Sequence, residues 1–409
     1  MNTVDATFLV PEHIAQGLSN RTYERVGGVI REIGSKQVVA WLREGNETSD
    51  QILSNISAHS SLSAVSNTLN LALSSVSAVS STLNLAVSTM GFIIVLKRLG
   101  IIERQLEQAQ EVLRTIDYKI DLSFYANFRA ALDLAFNAFT MTNSETRKMS
   151  AMQAINRFLE AEHHYTKLTD IEIGNGSQVA DEYLSTLCLA YVTEVRCYLE
   201  LEELDTASRR LQEGATALRP RFEKHINTLL TSNPAAYLHP SLKEQVGLKR
   251  LTKVYQWLKP GLDESDVFEM HRENLFNLAQ KPEEWINSLP QAIRIPKGGY
   301  ATQTNVFNGL AKQTKKFIGA LPTMSKISGA KTGSQEAVTQ SPEIEIYGRL
   351  PTTMGLMESM VEDDNRLAMY ESEVEMIHRL GMSFQEWQQL VPSSTAQGDG
   401  TNLIYITAS

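Results

Sequence analysis

From Gln51 to Leu96 the chain contains no Asp, Glu, Lys or Arg, and proline is absent from this run and well beyond it. An ordinary water-facing helix surface is thereby excluded, since that would carry Lys and Glu in place of the Ser, Thr and Asn found here. Cysteine is scarce as well. Cys188 and Cys197, nine residues apart, fit neither a zinc pattern nor a disulfide framework and read as buried thiols. A basic excess is also missing: a net charge of -9 and a pI near 5.5 exclude a general binder of nucleic acid. The opening MNTVDATFLVPEHIAQG has no cationic stretch followed by an apolar core, so no Sec signal is expected and the expected location is cytoplasmic.

Signatures of chemistry are equally thin. No serine stands in Gly-x-Ser-x-Gly, and no His-Glu-x-x-His occurs. GAKTGS at 329–334 replaces the Gly-Lys-Ser/Thr of a phosphate loop by Ala330-Lys331-Thr332. Glu160 with His163, and Glu375 with His378, have the Glu-x-x-His spacing of carboxylate-bridged metal bundles, but such a site needs an inward Glu from each of two further helices. Both pairs therefore read as solvated helix faces. The expectation is a protein without catalytic residues, cofactor or metal.

What the chain does have is a repeat. SAVSNTLNLALSSV is followed at once by SAVSSTLNLAVSTM, then by GFIIVLKRL. On a helix, Leu69, Leu73, Val76, Val79, Leu83, Val87, Met90 and Ile94 share one broad apolar face, and Asn67, Asn70, Ser74, Ser81, Asn84 and Ser88 lie opposite. Small hydroxyl and amide groups suit close packing on another helix where a full charge would be costly to desolvate. Beyond Lys97 and Arg98 the phase continues as a heptad stem through Leu99, Ile102, Leu106, Leu113, Ile116 and Ile120. As one helix the 46 residues would run about 70 Å, too long for one simple span of about 30 Å, whereas two spans near 53–73 and 76–96 would fit. Insertion would be marginal, as a helix that is soluble while covered requires. A long core helix or an oligomeric stem accounts for the same pattern.

Around this run the chain divides into five stretches: an N-terminal segment with a β-hairpin (1–50), the uncharged helix and stem (51–122), a helical body (123–292), a flexible linker (293–345), and a C-terminal strand, helices and final strand (346–409). The hairpin is predicted in RVGGVIREIGSKQVVAWLR about Gly34-Ser35, with IEIYG (344–348) and NLIYITA (402–408) as late strands completing a small sheet. A late amphipathic helix carries Met360, Leu367 and Val374 in one column and Tyr370 and Ile377 in the next. Gly381 ends it, and Ser383 with Glu386 forms a capping box. Its methionines, from Met354 to Met382, are predicted to pack in the core. Lys312, Lys315 and Lys316 with Phe317 form a small basic patch within the linker.

In YVTEVRCYLELEELDTASRRLQEGATALRP, Tyr198 takes an aromatic position and Ala207, Leu211 and Gly214 three packing positions, with Pro220 near the stop. AINRFLEAEHHY supplies the same triplet as Ala154, Phe158 and Ala161. Over about 150–220 the chain thus resembles degenerate tetratricopeptide hairpins, departing from them at Val195 and in the insert TMTNSETRK. The resemblance implies a groove for a protein partner. In architecture alone, an uncharged helix on a helical body is similar to the α-helical pore-forming toxins. The expected fold is mainly α with a small β element. The expected function is that of a self-associating, conditionally membrane-inserting effector of bacterial type, with pore formation as one form of that action, its partners being itself and a lipid membrane. A soluble scaffold that binds a protein through the hairpins and oligomerises through the stem is the alternative.

Overall fold

Gly27-Gly28 and Gly34-Ser35 each stand between short runs rich in Val and Ile, and each marks a reversal of the chain. The computed structural model describes residues 12–44, 123–177, 179–230, 233–242, 245–281, 284–294, 342–389 and 403–407. Helix α1 (Glu12–Ser19) leads into β1 (Tyr23–Val26), β2 (Val29–Glu32) and β3 (Val38–Glu44). The strand β4 (Leu403–Thr407), from the NLIYITA run, adds to β3 and gives an antiparallel sheet in the order β1-β2-β3-β4. The sequence-predicted hairpin is β2-β3. A second one, β1-β2, turns at Gly27, whose φ of +55° is a left-handed value suited to glycine. A Cβ there would also press on Met369, which shows how closely the hairpin tip meets the late helix.

The rest is mainly helical. Helices α2 (Ser123–Thr140), α3 (Ser144–Gly174), α4 (Ala180–Glu200) and α5 (Leu204–Leu230) pack in sequence, each on the next. Asn143 starts α3 by accepting from the backbone N–H groups of Glu145 and Thr146 at 3.0 and 3.1 Å. Two short 3-10 segments (Pro234–Leu238, Pro240–Leu242) lead to α6 (Leu248–Leu258), α7 (Glu264–Ala279), α8 (Glu284–Asn287) and α9 (Gln291–Arg294). The late helix α10 (Pro342–Leu380) lies along α5, and α11 (Phe384–Gln389) follows it. Residues from β2 and β3, from α2 through α9 and from α10 and α11 belong to one hydrophobic core, in which Trp41 meets Trp387 edge-on at 5.7 Å.

Two sequence expectations are corrected. IEIYG at 344–348 is helix and not strand: Pro342 opens α10, a position where a missing N–H costs nothing, and Leu350 two turns on is fully buried. The β-rich composition of five residues is outweighed by a 39-residue helix whose Met354, Met357, Met360, Leu367, Val374 and Ile377 face the core. Pro220 does not stop α5, which continues to Leu230 because Phe222 and Ile226 are buried beyond it. Helix α9 ends at Arg294, and α2 through α9 share one core with α10 and α11. As predicted, Gly381 ends α10 at φ +64°, and Ser383 and Glu386 cap each other's backbone N–H groups at 3.1 and 2.8 Å.

Phe158 is fully buried and meets Phe128 of α2 edge-on at 5.9 Å. Phe158→Ala should lower the unfolding free energy by about 3–5 kcal/mol, read from the urea midpoint. A loss under 1 kcal/mol would mean that α2 does not pack on α3 as described.

Candidate functional site

Helix α4 is buried along almost its whole length, yet it carries Asp181, Glu182, Glu194, Arg196 and Glu200. Charged groups reach a core only when partners answer them, so these side chains are the molecule's most demanding feature. The largest cluster joins three helices. Glu194, fully buried, accepts from Arg210 of α5 through both oxygens at 2.8–2.9 Å. Glu162 of α3 accepts from the same guanidinium, which also pairs with Glu213 and lies over the Tyr191 ring at 5.3 Å.

Two buried carboxylates around one guanidinium repel each other. Burial, then the Glu194 charge, raises Glu162 from an ordinary 4.5 to about 9, with Arg210 only partly offsetting this. Glu162 is therefore a carboxylic acid at neutral pH, and a proton between the two carboxyls relieves the repulsion. Burial and then the Glu162 charge push Tyr191 up to about 12. A Cβ added at Gly214 would lie 3.0 Å from the Tyr191 ring, so the glycine lets α5 approach the cluster.

A second group lies towards the C-terminal end of α4. Arg196 pairs with Glu200 at 2.7 Å and is held between Phe139 and Phe384, 5.1 and 4.1 Å from their centroids. Burial lowers its pKa, which the Glu200 charge opposes. Trp387 donates to Glu373 at 2.7 Å. Further out, α10 is tied down by arginines: Arg219 bonds Asp364 at 2.5 Å while stacked 3.8 Å over Trp257, and Arg250 grips Glu358 through two bonds at 2.7 and 2.5 Å.

Burial pushes the Cys197 thiol well above its usual range, which disfavours its thiolate, and Cys188 is buried too. Glu160, His163, Glu375 and His378 all lie on exposed faces, the last 3.8 Å from Asp205. Among the described residues no group of three His, Cys, Asp or Glu could hold a metal ion.

No family model matches the chain, nor does any curated protein or solved structure.

Of the residues singled out from the sequence, the apolar face (Leu69, Leu73, Val76, Val79, Leu83, Val87, Met90, Ile94), the polar face (Asn67, Asn70, Ser74, Ser81, Asn84, Ser88) and the stem (Leu99, Ile102, Leu106, Leu113, Ile116, Ile120) lie outside the described residues. So do Lys312, Lys315, Lys316 and Phe317. The packing triplets Ala154-Phe158-Ala161 and Ala207-Leu211-Gly214 are all buried, Val195 with them, and Tyr198 is half-buried. Sequence reasoning missed Glu162, Glu194 and Arg210. A signal was present: Arg210 sits in the same helical stripe as Ala207 and Gly214, and Glu162 in that of Phe158 and Tyr165, which puts charges in phase with the core.

Replacing Arg210 by Met should cost about 3–5 kcal/mol, because it strands Glu194 in the core. Glu162→Gln should cost little at pH 7, where Glu162 already holds its proton. Because the folded chain keeps that proton after the unfolded chain has released it, wild-type stability should decline as pH rises from 4.5 towards 9. Urea midpoints between pH 5 and 9 test both statements; a Glu162→Gln profile with the wild-type slope would contradict the assignment.

Proposed function

We propose that this chain is a non-catalytic, self-associating, membrane-active protein whose acting part is the uncharged run 51–96 with its heptad continuation. One observation carries this reading. Residues 45–122 leave from the end of β3 and return at the start of α2, and both flanks are anchored in one core, by Trp41 and by Phe128. The body can therefore hold the uncharged run at its two ends without relying on it for closure.

The body offers no span of its own: among the described residues no helix is long and apolar enough to cross a membrane. Insertion is thus assigned to residues 53–96, with the Val/Leu face towards lipid and the Ser/Asn face towards partner helices or a wet channel. Lys97, Arg98 and Arg104 follow at the point where an anionic headgroup surface would arrest the segment.

A second reading, a soluble scaffold, is favoured by the buried small residues of α3 and α5. Gly214 and Ala207 permit the close antiparallel packing on which tetratricopeptide-like hairpins depend, and a partner would then lie along the outer face near Tyr198. The mark of that reading is a specific protein that co-purifies with the wild type and is lost on Tyr198→Ala.

Vesicles with an anionic lipid fraction and trapped dye test the first reading. Sedimentation with the vesicles and dye release after acid or limited proteolysis are expected. Lys substitutions at Leu69, Leu83 and Val87 should abolish release while leaving the far-UV spectrum of the body intact. If the wild type neither sediments nor leaks under either trigger, the reading is wrong.

A further inference from the structure

His271 on α7 has no exposed surface, and neither ring nitrogen has a hydrogen-bond partner. Its ring stands edge-on to Tyr255 of α6 at 5.0 Å. Helix α7 packs chiefly against α6 and the 3-10 segment Pro234–Leu238. The titratable groups these elements contribute are Tyr255, the cations Lys249, Arg250 and Lys253, and Tyr237, with Lys259 capping the end of α6. Arg250 is committed to Glu358, and the Tyr237 hydroxyl donates to the Leu229 carbonyl at 2.6 Å. The carboxylates of α7 itself, Glu264, Asp266, Glu269 and Glu273, are on its exposed side. An imidazolium at this place would therefore be buried among apolar groups with no carboxylate among the described residues to receive it.

Another buried histidine sharpens the contrast. His225 of α5 is also buried, but the Asp181 carboxylate of α4 acts on it and partly offsets its burial. For His271 burial alone acts, lowering its pKa from 6.5 to about 4.

We propose that His271 is an acid-sensitive latch: taking up a proton drives α7 off α6 and loosens residues 248–294, the part of the body from which the chain runs on to residue 295. As the trigger for membrane action the latch rests on the function proposed above; as a joint opened by acid it stands independently. The sign follows from linkage. A histidine whose folded pKa is depressed stabilises the closed form less and less as pH falls below the exposed value of 6.5, and the whole loss is reached below about 4. The opening constant should rise up to ten-fold per pH unit, about 300-fold across this window.

The experiment measures amide exchange in the full chain from pH 7 to 4, corrected for the intrinsic pH dependence, alongside dye release from phosphatidylglycerol–phosphatidylcholine vesicles. Opening of 248–279 should rise steeply as pH falls in the wild type and in His225→Leu, and stay flat in His271→Leu. Dye release that follows the same pH curve, and is lost in His271→Leu, supports the trigger. Opening without release supports the latch and overturns its part as the membrane trigger, leaving the membrane reading to the proteolysis arm. A wild type in which 248–279 opens no more readily at pH 4 than at pH 7 overturns the latch, whether or not the variant folds; so does a folded His271→Leu that keeps the wild-type pH profile.

Discussion

The guanidinium of Arg210 is the point on which the helical body depends, because it is the cation that answers two carboxylates taken out of water. Glu194 comes from a helix buried on every side, Glu162 from the helix before it, and Arg210 from the helix after. Apolar contacts alone would let α3, α4 and α5 slide along one another at modest cost. A buried ion cluster does not, since any register that parts Arg210 from Glu194 strands a charge in the core. The cluster thereby selects one register, and the shared proton at Glu162 is the cost of placing two acids beside one base.

From that fixed register the remaining contacts follow outward. The C-terminal end of α4 presents Arg196 to Phe139 and Phe384, which seats α11 and with it Trp387 against Trp41 of the sheet. The outer side of α5 presents Arg219 to Asp364 and Trp257, which holds α10 and α6 together. Arg349 of α10 donates to the Ile293 carbonyl at 2.8 Å, so residues 295–341, like 45–122, are flanked by elements of the same body. A body closed in this way can carry long segments between its elements, and the function proposed for 51–122 uses that property.

Much of the fold could be read from the sequence where the cause is local. The hairpin about Gly34-Ser35, the final strand, the end of α10 at Gly381 and the reciprocal Ser383-Glu386 cap are each set by residues within a few positions of one another. The apolar columns of α10 were legible for the same reason. The failures share the opposite cause. IEIYG has strand composition but belongs to a long helix whose packing on α5 settles its state, and Pro220 is carried through α5 by core contacts on its far side. The ion cluster joins residues 16 and 48 positions apart, a pairing that no local spacing encodes. Without a partner in view, a charge in phase with a core stripe looks like an interruption of that stripe. The uncharged run is the reverse case: its sequence pattern is the strongest in the chain, and its residues lie outside the described ones.

Native-state hydrogen exchange at increasing urea tests most directly whether the buried charges of α4 fix the body. The amides of residues 180–200 should exchange only through global unfolding, with the same free energy and denaturant slope as the whole chain, and Arg210→Met should collapse their protection to that of the outer helices. Exchange of 180–200 by a smaller opening in the wild type, while α6 and α7 stay protected, would contradict the account.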